Sequence, residues 1–209
     1  MRSLDDRTAR ARIRDEALRL FADHGPDGVS IRDIATAAGV SPALVMRHYG
    51  AKEGLREAVD EHVAEIFDSL LDEVTNPDGA DPFAAATAPT MAELVIRQLP
   101  ADSPIPAYLG RMLVADGPAG ATLFTRLYTI SQTALARLAE AGMADAGSDP
   151  GVRAAFLLIN DLAVLILRPH LRTVLGDDPL TEIGMRRWGT EVLSIYRTGL
   201  GGAATDDNR

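Results

Sequence analysis

The sequence predicts an all-α fold, and three observations carry that reading. Apolar residues recur at helical spacing through almost every segment. No stretch alternates apolar and polar residues with the β-branched enrichment of a strand. Clusters of Gly, Pro, Asp and Asn interrupt the chain at intervals suited to helices. With 46% hydrophobic and 24% charged residues, the 209-residue chain has enough apolar matter for a sizeable core and is too apolar to be disordered throughout.

The elements follow in order. In residues 7–24, Ile13, Ala17, Leu20 and Phe21 fall on one helical face, and His24-Gly25 ends the helix, because Gly accepts the left-handed backbone there. A second helix spans 31–38, with Ser30 as its N-cap, Asp33 in its first turn, and Ile31, Ile34, Ala35 and Ala38 inward. Gly39 stops it. The third helix starts at the cap Ser41 with Pro42 at its first position, where a missing N–H costs nothing, and ends near Gly50. A fourth runs over 52–74. The Asn/Pro/Asp/Gly cluster at 76–82 is the clearest break in the chain. Helices at 83–99, 105–116, 119–141, 151–172 and 181–198 follow, before a polar tail at 201–209. This spacing divides the chain into an N-terminal domain, 7–67, and a helical C-terminal domain, 76–200.

Composition narrows the function. The chain has no cysteine, so disulfides, thiolate metal sites and thiol nucleophiles are all excluded. The N-terminus is charged throughout, unlike a secretory signal, and the longest apolar run, 156–167, is broken by Asn160 and Asp161 and too short to span a bilayer. A cytoplasmic protein is the expectation. The net charge of −9 hides an asymmetry. Residues 1–52 hold nine basic and seven acidic side chains, a net of +2, whereas 53–209 hold twelve and twenty-three, a net of −11. An anion-seeking surface must therefore lie at the N-terminal end. Among twenty arginines there is a single lysine, Lys52.

The third helix has two different faces. Val45 and Tyr49 point together toward a core with Ile34, Val40 and Leu55, while Ala43 and Arg47 point away, flanked by Leu44 and Met46. Two short helices joined by a tight turn, the second presenting a small residue and an arginine outward, make a helix-turn-helix over about 30–49. Small residues at the start of the reading helix let its backbone approach base edges. Ala43, with Met46 or Leu44, can touch thymine methyl groups, and Arg47 can reach guanine or phosphate. Lys52 and the first N–H groups of the fourth helix suit a phosphate.

The segments "LFADHG" (20–25), "VSIRDIATAAGVS" (29–41) and "MRHYGAKEGL" (46–55), with "REAVDEHV" running on, resemble the DNA-binding domain of the tetracycline-repressor (TetR) family of bacterial transcription regulators, in its actinobacterial form. The resemblance spans residues 7–67. It implies that Ser30, Pro42, Ala43, Met46, His48 and Lys52 stand at DNA-touching positions, with Ser41 capping the helix that carries four of them. Three departures matter, one of them Ala51, where a Ser or Asn N-cap is common. The family usually has Thr-Leu-Tyr where this chain has Leu44-Val45-Met46, so contacts from 44 and 46 would be apolar, and Tyr49 stands where Phe is usual. The resemblance further implies a homodimer on a double-stranded, palindromic operator, released by a small-molecule effector.

Other constellations are weaker. Histidines 24, 48, 62 and 170 lack metalloprotease spacing, and Glu61, His62 and Glu65 fit a solvated helical face better than a metal site. No nucleophile arrangement or phosphate loop stands out, so neither enzyme activity nor a cofactor is expected. Tyr108, Met112, Phe124 and Tyr128 are spaced for core packing, and the same residues are candidates to line a cavity for an apolar effector. Arg111, Asn160 and Asp161 are candidates to orient it. A buried Asp161 would need a partner such as Arg111 or Arg168. Phe156, Ile159, Ala163 and Ile166, with Trp188, Val192 and Ile195, form long apolar faces that suit a self-complementary four-helix dimer contact. A small-molecule binding protein with a non-functional DNA module is the rival reading.

Overall fold

A computed structural model of the chain describes residues 2–75, 88–100, 102–115 and 117–198. The break at 76–82, the first residues of the helix expected at 83–99 and the tail at 201–209 lie outside the described residues. The described residues form helices only: α1 (Arg2–His24), α2 (Ile31–Ala37), α3 (Pro42–Tyr49), α4 (Lys52–Thr75), α5 (Ala88–Gln98), α6 (Ile105–Val114), α7 (Pro118–Glu140), α8 (Pro150–Ile166), α9 (Arg168–Leu175) and α10 (Glu182–Thr198). One expectation fails. The helix expected over 151–172 is two helices, bent by 76° at Leu167, because Pro169 has no N–H to continue the ladder and instead sits in the first turn of α9. Among the described residues no single helix is long and apolar enough to cross a membrane.

Packing divides the chain into two compact units that do not follow sequence order. Met1–Ser69 join Asp102–Ile130 in one unit, and Leu70–Ala101 join Ser131–Arg209 in the other, so α4 and α7 each contribute to both. In the first unit Ile13, Ala17 and Phe21 of α1, Ile34 of α2, Val45 of α3, and Leu55, Val59 and Val63 of α4 are fully buried. All but Val59 and Val63 are residues whose spacing marked the inward faces; Leu20, Ile31, Val40 and Tyr49, expected with them, are half-buried. Tyr108 and Leu109 of α6 and Leu123 of α7 share their complete burial. The guanidinium of Arg111 adds two polar ties, from Nε to the Ala22 carbonyl and from NH2 to the Asp23 carbonyl, each 2.5 Å. It thereby satisfies carbonyls in the last turn of α1, where a cation also complements the helix dipole.

In the second unit α5 packs on α10, with Leu94, Leu99 and Leu193 buried. The end of α7 contributes Ala134, Leu135 and Leu138, and α8 contributes Ala154, Leu158, Leu162, Val164 and Leu165. Ser131, buried on α7, donates from Oγ to the Ala154 carbonyl at 2.9 Å. Arg168 pairs with both carboxylate oxygens of Asp178 at 2.9 and 2.8 Å, tying the start of α9 to the turn that follows it.

Candidate nucleic-acid interface

Local chemistry fixes the two short helices before any long-range contact acts. Ser30 and Asp33 form a reciprocal capping box: the Asp33 N–H donates to Ser30 Oγ at 3.3 Å, and the Ser30 N–H donates to Asp33 Oδ2 at 2.8 Å. The Ser30 hydroxyl, which donates to Asp33 Oδ2 at 2.6 Å, and then the Ser30 N–H hold the Asp33 carboxyl below the usual carboxylate range. At the other end of α2, Gly39 takes φ +64°, which lets the Val40 N–H reach back to the Ala35 carbonyl at 2.9 Å. Two residues later Ser41 Oγ accepts from the Leu44 N–H at 3.2 Å and starts α3, with Pro42 in its first turn.

Long-range anchors then set the orientation of α3. Val45 is wholly buried on its inner face. Tyr49, half-buried, donates its hydroxyl proton to the Arg10 carbonyl at 2.7 Å, and the Arg10 guanidinium lies 5.5 Å from the ring centroid. Tyr49, where Phe is usual, thus adds a tie from α3 to α1. Gly54 allows the start of α4 to approach the end of α3, since a β-carbon there would lie 2.3 Å from the Tyr49 carbonyl oxygen. The remaining face is open: Ser41, Pro42, Ala43, Met46 and Arg47 are exposed, and Leu44 and His48 are half-buried. Met46 is 45% exposed, although it is a large apolar side chain.

Lys52, expected to meet a phosphate, is bonded within the protein. Its ammonium donates to the carbonyls of Pro26 at 2.9 Å and Val29 at 3.3 Å, so it staples the α1–α2 turn to the start of α4. Ser30, the next residue, begins α2, so the same bonds help to place the helix-turn-helix.

Comparison with known proteins decides the family. The family model described as "Bacterial regulatory proteins, tetR family" matches residues 13–59, and "Tetracyclin repressor-like, C-terminal domain" matches 101–199. The HTH-type transcriptional regulatory protein RaaS of Mycobacterium tuberculosis is 38% identical over 159 residues, covering 76% of this chain and 70% of RaaS. The chain belongs to the TetR family. It is a transcriptional regulator of that family, as the sequence predicts. The HTH-type transcriptional repressor Rv3405c of M. tuberculosis is 44% identical over 61 residues, which are 29% of this chain and 32% of that protein. Among solved structures, the fatty acid degradation regulator FadR of Bacillus halodurans has the same fold, with a TM-score of 0.68 at 16% identity over 91% of this chain and 99% of FadR. SmeT, described as the repressor of a Stenotrophomonas maltophilia multidrug efflux pump, matches with a TM-score of 0.60 at 22% identity over 88% of this chain and 87% of SmeT.

The TetR-type C-terminal candidates fare unevenly. Tyr108 is fully buried with its hydroxyl on Asp60, and Met112 is buried. Arg111 is bonded to the Ala22 and Asp23 carbonyls of α1. Phe124 and Tyr128 are half-buried. Asn160 donates from Nδ2 to the Tyr196 hydroxyl at 3.1 Å. Neither cation expected to answer Asp161 does so, since Arg168 is paired with Asp178. Glu61, weighed above as a metal ligand, pairs with Arg126. An open depression of about 440 Å³ on α7, lined by Ala121, Thr122, Thr125 and Arg126, has no counterpart in the sequence reading.

The apolar stripes stay outward. Phe156 and Ile159 are 61% and 56% exposed, Ile195 is exposed, and Ala163, Ile166, Trp188 and Val192 are half-buried. Val152, one turn before Phe156, extends the stripe on α8, and its i−4 spacing was the signal that would have found it.

Proposed function

We propose that the chain is a ligand-responsive repressor that binds a palindromic operator as a homodimer, reading bases through α3. One observation carries this reading: α3 is held rigidly on its inner side by Val45 and Tyr49, while Pro42, Ala43, Met46 and Arg47 stand exposed on its outer side. A helix with short side chains at its N-terminal end and a fixed axis suits insertion into a major groove. Ala43 and Met46 supply apolar contact with thymine methyl groups, Leu44 and His48 flank them, and Arg47 reaches guanine or phosphate. Ser30, Ser41 and Lys52 position the backbone on phosphates, and the slightly basic N-terminal segment favours the approach.

One reading helix recognises too few base pairs to address a genome, so two copies are needed about 34–36 Å apart. The exposed stripe on α8, from Val152 through Phe156 and Ile159 to Ile166, together with Trp188, Val192 and Ile195 on α10, is the surface we assign to the dimer. Apolar patches of this kind on a monomer mark interaction sites. The effector enters the C-terminal part of the chain and shifts the population of DNA-competent dimers by binding the two states unequally. Asn160 and Asp161 remain candidate contacts for it.

A gel shift with the DNA upstream of the protein's own gene tests the reading. A salt-sensitive complex containing two protomers supports it. Failure to select any consensus from randomised DNA would favour the rival, a small-molecule binding protein without a working DNA module.

A further inference from the structure

Asp161 occupies a contradictory position on α8. Its helical neighbours at i−7, i−3, i+3 and i+4 are Ala154, Leu158, Val164 and Leu165, all buried, so its side chain leaves the helix on the packed side. Yet Asp161 itself is exposed. A residue that keeps accessible surface on the packed face of a helix borders a hollow and not the outer surface. The dimer stripe of Phe156, Ile159 and Ala163 runs along the other side of the same helix and would leave this hollow uncovered.

The electrostatics agree with the geometry. Surrounding protein pushes the Asp161 carboxyl up to about 6, mainly by desolvation, and a hydrogen bond with Asn160 offsets only part of it. Asp161 in turn helps burial to raise the Tyr196 phenol, so the α10 aromatic lies close by. Among the described residues no cationic side chain pairs with Asp161. Arg168 is held by Asp178, and Arg111 is held by α1. At neutral pH the group is mostly ionised, a desolvated anion beside apolar walls and an aromatic ring, which is costly without a counter-charge.

We propose that Asp161 recognises the charge of the effector, and that the effector is an organic cation, an amine or quaternary ammonium carried on an apolar body. The positive group would meet the Asp161 carboxylate and the face of Tyr196, and the body would lie along the apolar walls beside them. The proposal rests on the reading of the chain as effector-responsive. It narrows the apolar compound foreseen from the sequence to one with a positive charge.

Tetraphenylphosphonium and tetraphenylborate have one shape and opposite charges, and calorimetric titration of the full-length dimer with each isolates the sign. Wild type should bind the cation at least about tenfold more tightly than the anion, a conservative effect for one desolvated charge. Asp161→Asn, checked for an unchanged melting temperature, should bring the two affinities to within about twofold, since the charge is gone and the cavity remains. Equal affinities in wild type, a preference for the anion, or failure to bind the cation would each overturn the proposal, and none depends on the variant folding. Operator binding measured without either probe separates the two levels. A protein that shifts its operator but shows no preference for the cation keeps the repressor reading and loses this one.

Discussion

The Tyr108 hydroxyl donates a 2.6 Å hydrogen bond to Oδ1 of Asp60, joining a fully buried phenol on α6 to a buried carboxylate on α4. Arg56, one turn before Asp60 on α4, holds the other oxygen. Burial pushes the Asp60 carboxyl up, and the bonds from Tyr108 and Arg56 only partly counter it. The Tyr108 phenol is pushed up by its own burial and by the adjoining carboxylate. This pair and the two bonds of Arg111 give α6 one polar attachment to α4 and two to α1, within one turn of helix.

Tyr108→Phe should destabilise the protein by about 1–3 kcal/mol, the cost of leaving a buried acceptor without its donor. The effect should depend on pH. The folded pKa of Asp60 lies above its unfolded value, so its contribution to stability is fully present below the unfolded value and is lost as pH rises through the folded one. Removing the hydroxyl raises the folded pKa further and carries that loss to higher pH. Urea midpoints measured from acid to neutral pH should show the gap between variant and wild type widening as pH rises. A constant gap would mean that the hydroxyl does not act on the carboxylate.

Lys52→Ala should have two consequences of different origin. Loss of the bonds to Pro26 and Val29 should lower stability by about 1.5–3 kcal/mol, in the range for hydrogen bonds to a charged group. If the ammonium also meets a phosphate, the dependence of log affinity on log salt should become shallower by about 0.9. Reduced stability with an unchanged salt slope would assign Lys52 to the staple alone.

Met46→Ala should leave stability within about 0.5 kcal/mol of wild type, because the side chain is exposed. It should relax preference at one A·T position by about 1–3 kcal/mol. Ala43→Glu should abolish operator binding without unfolding the protein, since it places a negative charge against the duplex. Selection on randomised DNA reads the first variant, and circular dichroism with a gel shift reads the second. An unchanged preference in Met46→Ala places that residue outside the interface.

Phe156→Asp should convert the dimer to a monomer at micromolar concentration, because the charge would be desolvated near its symmetry mate. Operator affinity should collapse with it. Light scattering and a gel shift on the same preparation test both halves. A wild-type protein that is already monomeric would overturn the assignment of the stripe.

The helices, their caps and the outward face of α3 were readable from the sequence because they depend on near neighbours. Ser30 caps a helix through Asp33, and Ser41 through Leu44, whatever the rest of the chain does. The break at Pro169 is equally local, but the apolar spacing that runs on across it masks it. Tertiary structure alone decided where the long polar side chains go. Arg111 reaches α1 carbonyls 88 and 89 residues away, and Tyr108 reaches a carboxylate 48 residues away. Lys52 turns two of its donors to backbone carbonyls. A flexible or extended side chain offers donors to any acceptor within its radius, and the packing of distant helices determines which acceptor that is. Asp161 illustrates the limit most directly: its spacing put it in an apolar helix, but only the packed structure left its carboxylate beside a hollow without a cation among the described residues.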